Sequence, residues 1–376
     1  MAAGSAFVLL GTLFGAWATF IPFVKNKFSI DDAQLGTLLF FFPIGAAIFN
    51  PFSAWVIKKM GMKNATTMGM ILVCITYLLP LVMNSLLLTS IGLCITGMSI
   101  AQLNVAMNTC VSCIEKNDKI HIMSSSHGMF SIGLMIGSVS ASISFGAGVS
   151  PILHMICLST LGVILAMYTR PIISSIYENT FNETVENENG KILSSEVKFN
   201  IFMMIVVSVC SNITEGTMAD WTAVYMKDVV NTSDYFIGWG LSGYSFFMAA
   251  GRFLGDGVVP KFGPKKVLFF GSLLAGFGLL IVILLPFTII SIIGFSLVGF
   301  GVSFSSPILY GSSARIPGFS AGKGLAILNS LGMIGFLTGP VLIGYISRAS
   351  NLQIAFASLL VLIVIWGTMA KKVRLY

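Results

Sequence analysis

The chain has 376 residues, of which 56% are hydrophobic and only 9% charged, and its mean hydropathy is +0.92. Soluble domains carry roughly 25% charged residues, so an ordinary soluble globule is excluded. The net charge of +7 comes from short basic clusters between apolar stretches rather than from one helix face or a long tail, which reads as a topology signal and not as a nucleic-acid surface.

Apolar runs bounded by charges or turn residues predict membrane-spanning helices near 5–24, 34–57, 65–84, 86–109, 122–145, 150–169, 199–225, 234–256, 267–286, 289–310, 322–346 and 352–370. Backbone polar groups in lipid need internal partners, and without long alternating strands the helix supplies them. The expected fold class is therefore all-α, with twelve transmembrane helices. The first run, Ala6 to Phe23, lacks a cationic flank and is long for a signal sequence, so it reads as a retained first helix.

Between Arg170 and Lys198 the chain is polar, with Glu178, Glu183, Glu186 and Glu188 and little apolar periodicity. This reads as a cytoplasmic linker over 171–198, separating an N-terminal bundle (1–170) from a C-terminal one (199–376). With the N-terminus inside, seventeen Lys and Arg fall on the inner side and four (Lys25, Lys27, Lys227 and Arg348) on the outer, so both termini are expected in the cytoplasm.

Shifting the sequence by 202 residues superimposes the halves. Gly36 meets Gly238, Gly61 meets Gly263, Gly97 meets Gly299, Gly133 meets Gly335 and Gly137 meets Gly339, while Asp32 meets Asp234 and Lys59 meets Lys261. Six spans per unit is an even number, so the two repeats should run parallel, with the substrate near the midplane between them.

Polar residues inside apolar runs are the candidates for chemistry. In the seventh span Ser208, Ser211, Asn212 and Glu215 follow i, i+3, i+4 and i+7 and share one face. An intramembrane acid is a functional-site hypothesis, and Glu215 is the leading proton-coupling candidate; the alternative is a paired structural acid holding the span to a neighbour. Asp220 and Trp221 are expected nearer the outer surface, as gate or surface acid and interfacial aromatic. In the fourth span Asn104 and Asn108 share a face and either bind substrate hydroxyls or bond across a helix interface. His127 is a proton relay or a hydrated cap. Trp17, Phe20, Tyr244 and Tyr310 either stack on a planar ligand or pack in the core. Arg252 and Asp256, one turn apart, suggest an intrahelical ion pair or an inner gate. The six cysteines, including Cys110 and Cys113 in a C-x-x-C, read as packing residues. No Walker loop, H-E-x-x-H or G-x-S-x-G is present, so neither ATP use nor hydrolase chemistry is indicated, and no cofactor or metal is expected.

The loops AWVIKKMGMKN and GVVPKFGPKK, repeated between spans two and three and between eight and nine, together with GRFLGD, resemble the major facilitator superfamily. The acid which that family's pattern places three before the loop Gly is Lys58 in the first copy and Pro260 in the second. EGTMADWTAVYM and SHGMFSIGLMIGS are similar to bacterial inner-membrane members near the fucose:proton symporters, although Asn104 stands where that group often carries an acid. The resemblance implies a monomeric secondary transporter in a bacterial inner membrane, moving a small polar, sugar-like solute by alternating access with protons. Export of an amphipathic drug or antimicrobial metabolite, suggested by the many Phe and Met residues, and a non-transporting receptor or scaffold are the alternatives.

Overall fold

The computed structural model describes residues 2–120, 122–173, 195–316 and 321–375. Most of the expected linker therefore lies outside the described residues. The described chain is helical: α1 (Ala2–Phe28), α2 (Asp32–Thr76), α3 (Leu79–Val82), α4 (Leu86–Asp118), α5 (Met123–Gly146), α6 (Pro151–Ile173), α7 (Ser195–Asp228), α8 (Trp239–Phe262), α9 (Pro264–Leu284), α10 (Thr288–Val302), α11 (Ser305–Ser313), α12 (Ala321–Ala349) and α13 (Leu352–Lys372).

Among the described residues, ten helical segments are long and apolar enough to cross a membrane, rather than twelve separate ones. The difference from the sequence expectation has local causes. Expected spans 34–57 and 65–84 belong to one segment, Asp32–Val82, bent where Gly61 adopts φ 77°, ψ 156°. The segment expected over 234–256 starts later, because Asp234–Phe236 forms a 3-10 turn before α8. α8, which carries Arg252 and a basic end, is not among the ten segments. The run 289–310 is divided into α10 and α11 at Ser303 and Phe304 but remains one of the ten segments, Thr288–Ser313.

Helix starts follow ordinary capping chemistry. Asp31 accepts from the Gln34 backbone N–H while the Gln34 side chain accepts from the Asp31 N–H, a reciprocal box at the start of α2. Ser85 and Asn351 cap α4 and α13 more simply, each accepting from the backbone N–H three residues on, Leu88 and Ile354.

The 202-residue repeat reappears in the contacts. Gly263 has φ 84° and ψ 141°, close to Gly61, and both turn the chain between consecutive helices where a side chain would be strained. A Cβ on Gly97 would lie 2.0 Å from the Phe42 carbonyl oxygen, and one on Gly299 would lie 2.0 Å from that of Tyr244. A Cβ on Gly36 would lie 2.5 Å from the Pro340 carbonyl, and one on Gly238 would lie 2.4 Å from that of Ser138. In every case the partners are themselves 202 apart, so the helix crossings α2·α4 and α8·α10, and the crossings α2·α12 and α5·α8, are related pairs. With little hydrophobic force between helices in lipid, such close backbone approach is what dispersion forces need.

The interior is closely packed around Trp17, Phe20, Tyr77, Trp221, Tyr225, Tyr244, Phe295, Phe356 and Trp366, all buried. Trp221 is fully buried, which corrects its expected place at the interface: helices α1, α8 and α13 enclose α7 on several sides. Cys74, Cys110, Cys113 and Cys210 are buried free thiols, while Cys157 is exposed.

Candidate functional site

Two features stand out, one at each end of the helix bundle. At the end where α1 passes to α2, Lys25 Nζ lies 2.6 Å from Asp32 and 2.5 Å from Asp228, joining the starts and ends of α1, α2 and α7. Around it Ser347 donates to Asp32, Arg348 pairs with Asp31 at 3.4 Å, and Ser142 donates to the carbonyls of Asp234 and Tyr235. Lys227 pairs with Asp234 at 2.7 Å. The N-terminal and C-terminal helices are thus tied together at this end.

Towards the opposite end lies a cavity of about 280 Å³ lined by Met123, Ser124, His127, Arg252, Ser306, Pro307 and Tyr310. A second cavity of about 480 Å³ shares Ser124, Arg252 and Pro307 and extends past Gly255, Pro260, Gly263 and Gly311 to Arg315. Arg252 is the hub. Its Nη2 donates to Glu215 Oε1 at 3.3 Å, and its Nη1 donates to Ser131 Oγ at 2.9 Å and to the His127 carbonyl at 3.3 Å. Its side chain is 10% exposed and that of Glu215 21%. Ser124 donates to the Arg252 carbonyl, so α5 holds the arginine from two turns. Tyr244 and Tyr310 are both within electrostatic range of Glu215 and Arg252. The Tyr310 hydroxyl donates to Asn329 at 3.2 Å, whereas that of Tyr244 is buried without a partner among the described residues.

The residues singled out in the sequence are distributed unevenly around this centre. His127, Arg252 and Tyr310 line the cavity, and Glu215 is joined to it through Arg252. The intrahelical Arg252–Asp256 pairing cannot be placed, since the Asp256 side chain lies outside the described residues; Arg252 instead crosses to α7 and α5. Asn212 donates to the Gly332 carbonyl at 2.9 Å and Ser208 packs on the same glycine, so part of the α7 polar stripe faces α12. Ser211 donates to the Ser208 carbonyl of its own helix. Asn108 donates to the backbone carbonyl and side chain of Asn104, which is exposed. Trp17 is enclosed in the core, and Phe20 packs edge-on against Phe145 and His154. Asp220 is half-buried within electrostatic range of the buried Tyr77. The His127 ring packs edge-on against Phe7 at 5.4 Å.

Sequence reasoning passed over Ser131, Ser306 and Asn329, along with the Lys25 cluster. The repeat held the signal for Asn329 and Ser306, because a 202-residue shift places them on His127 and Asn104.

The profile of the Major Facilitator Superfamily matches residues 2–233 and again 201–374. The chain belongs to the major facilitator superfamily. It is 29% identical over 368 residues to an uncharacterised MFS-type transporter of Yersinia pestis, covering 98% of this chain and 94% of the relative. Among solved structures, a bacterial homologue of the human lysosomal transporter Spinster, inward-facing and unoccupied, superimposes with a TM-score of 0.76 at 14% identity, covering 99% and 95% of the two chains. The transporter FucP in its outward conformation gives 0.60 at 18% identity, covering 98% and 99%. The fucose subgroup is therefore not singled out within the superfamily. Membership makes the protein a secondary transporter of a small solute by alternating access rather than an enzyme, and a multi-pass protein of the bacterial inner membrane.

Proposed function

We propose that the protein carries a small polar organic solute, driven by the proton gradient, through the cavity around Arg252, with Glu215 as the proton-responsive group. The observation that carries this reading is the Glu215–Arg252 ion pair at 3.3 Å inside the helical bundle, next to a cavity lined by Ser124, His127, Ser306 and Tyr310. Charges are expensive at this depth and are retained where they act on a solute or ion. Ser124, His127, Arg252, Ser306 and Tyr310 bring groups to the cavity wall that can bond the polar parts of a solute.

In this reading α2 supplies two spans joined at Gly61, α8 another, and α10 with α11 one, which makes twelve in two parallel sets of six around a 171–198 linker. The excess of Lys and Arg on one side supports cytoplasmic termini. The Lys25 cluster then closes the outer face and the cavity faces inward. Asn104 and Asn108, 202 residues before Ser306 and Tyr310, line the opposite wall of the same pathway, and Asp220 with His127 are the remaining candidates for a proton path.

The test is uptake by proteoliposomes under an imposed pH gradient. Accumulation that follows the gradient and disappears in Glu215→Gln supports the coupling. Uptake indifferent to the gradient and unchanged in Glu215→Gln overturns it.

A further inference from the structure

Among the described residues, the charged groups that line the two adjoining cavities are both arginines. Their walls carry Arg252 and Arg315 and the hydroxyls of Ser124, Ser306, Ser312 and Tyr310, and among the described residues no carboxylate lines either one. A water-filled cleft with low-dielectric walls and a surplus of one sign concentrates ions of the other. The acid that balances Arg252, Glu215, is attached to it by a single contact of 3.3 Å. A strong guanidinium–carboxylate pair is bidentate and closes to about 2.7–2.9 Å. Arg252 is thus fixed in place by the Ser131 hydroxyl and the His127 carbonyl of α5, and only loosely neutralised from α7. Nearby, the buried Tyr244 hydroxyl has no partner among the described residues, which leaves a donor unused beside the pair.

We propose that the solute is a hydroxylated organic monocarboxylate whose carboxylate replaces Glu215 on Arg252, while the displaced Glu215 takes up the proton that travels with it. The proposal rests on the transport reading above and adds the substrate class. In the empty protein Glu215 is the carboxyl group that Arg252 holds, and a buried guanidinium left without an anion is costly. When the solute carboxylate takes its place, two anions would share one cation unless Glu215 is protonated. Solute and proton therefore bind and leave together, in a one-to-one ratio with no net charge moved. Tyr310 and Ser306, both on the cavity wall, are placed to bond the solute hydroxyls.

The titratable and charged groups facing Glu215 are Arg252 and Tyr244 of α8 and Tyr310 of α11, with His127 of α5 beyond the guanidinium. On α7 the next acid is Asp220. α1, α12 and α13 carry their charges at the helix ends, and α10 has none. Among the described residues, Arg252 is the cation paired with Glu215.

The experiment is a thermal-shift panel on the purified full chain, with D-gluconate, D-glucuronate and D-galacturonate set against neutral D-glucose and D-galactose. The acids are expected to raise Tm by about 2–4 °C at saturating concentration, more at pH 5.5 than at pH 7.5. The shift should vanish in Arg252→Gln, shrink in Arg252→Lys, and lose its pH dependence in Glu215→Gln. Gel filtration of each variant establishes that it is folded. A shift with the neutral sugars alone, a shift with the acids that survives in folded Arg252→Gln, or a panel silent throughout overturns the proposal. Failure of the two readings is distinguishable: pH-driven uptake of neutral sugars removes the anion site and leaves the transporter, whereas Arg252-dependent binding of the acids without flux leaves the site and removes the transport reading.

Discussion

At the residue scale the decisive side chain is Arg252. It crosses from α8 to bond α5 and α7, and thereby turns Glu215 from a lone intramembrane acid into half of a partly buried pair. The other members of the α7 stripe have a different task. Asn212 donates to the Gly332 carbonyl across to α12, and such interhelical bonds in membranes contribute on average about 0.6 kcal/mol. Asn212→Ala is accordingly expected to lower stability by roughly 0.6–1.7 kcal/mol, read from thermal unfolding in detergent, and to leave the proposed proton coupling unaltered. A loss of coupling in that variant would move Asn212 from packing to the pathway. The i, i+3, i+4, i+7 pattern gave these residues one face correctly, but a helix face subtends enough arc to touch both a neighbouring helix and a cavity. Periodicity does not say where the neighbour ends.

At the element scale, glycines set which helices approach. Gly97 and Gly299 each bring their backbone against a carbonyl of a neighbouring helix, Phe42 of α2 and Tyr244 of α8 respectively, with no room for a Cβ. Gly97→Val and Gly299→Val are each expected to destabilise the fold by at least about 1–3 kcal/mol, the usual cost of overpacking. The measurement is the yield of monodisperse protein and its unfolding midpoint. Because the positions are 202 apart, the two variants should behave alike, and a tolerated substitution at either would show that its crossing can slide apart. Gly61 and Gly263 act differently, through their positive φ. Gly61→Ala and Gly263→Ala are expected to cost about 1 kcal/mol each, since an alanine with positive φ is strained, with the same thermal measurement as the check.

At the scale of the whole molecule, closure at one end is ionic. Lys25 bonds Asp32 of the N-terminal helices and Asp228 of the C-terminal helices at once, with Ser347 and Arg348 supporting the same seam. These groups are only partly buried, so each pair is worth about 1 kcal/mol or less after solvent screening. Lys25→Gln, which breaks two of them, is expected to shift the balance between the two openings by roughly tenfold towards opening at the Lys25 end. Distances between spin labels on the ends of α1 and α7 would report it. The same shift should appear in the unaltered protein on raising salt towards 1 M, where the screening length falls to about 3 Å. Insensitivity to both would mean that the glycine contacts of α2 with α12 hold that end shut unaided.

The sequence by itself determined much of this protein. Apolar runs of membrane length, a repeat of 202 residues and the spread of Lys and Arg follow from composition and spacing alone. They name the helices, their likeness in pairs, and the acid at Glu215, because the cost of charge or exposed backbone in lipid leaves its mark locally along the chain. Only the tertiary structure decided what Glu215 meets. Its partner lies 37 residues away on another helix, the cavity is assembled from α5, α8 and α11, and Trp17 and Phe20 are turned into the core rather than towards a ligand. Which polar side chain meets another and which meets a neighbouring helix depends on how helices rotate about their axes. That rotation is fixed by packing between segments distant in sequence, and no local pattern records it.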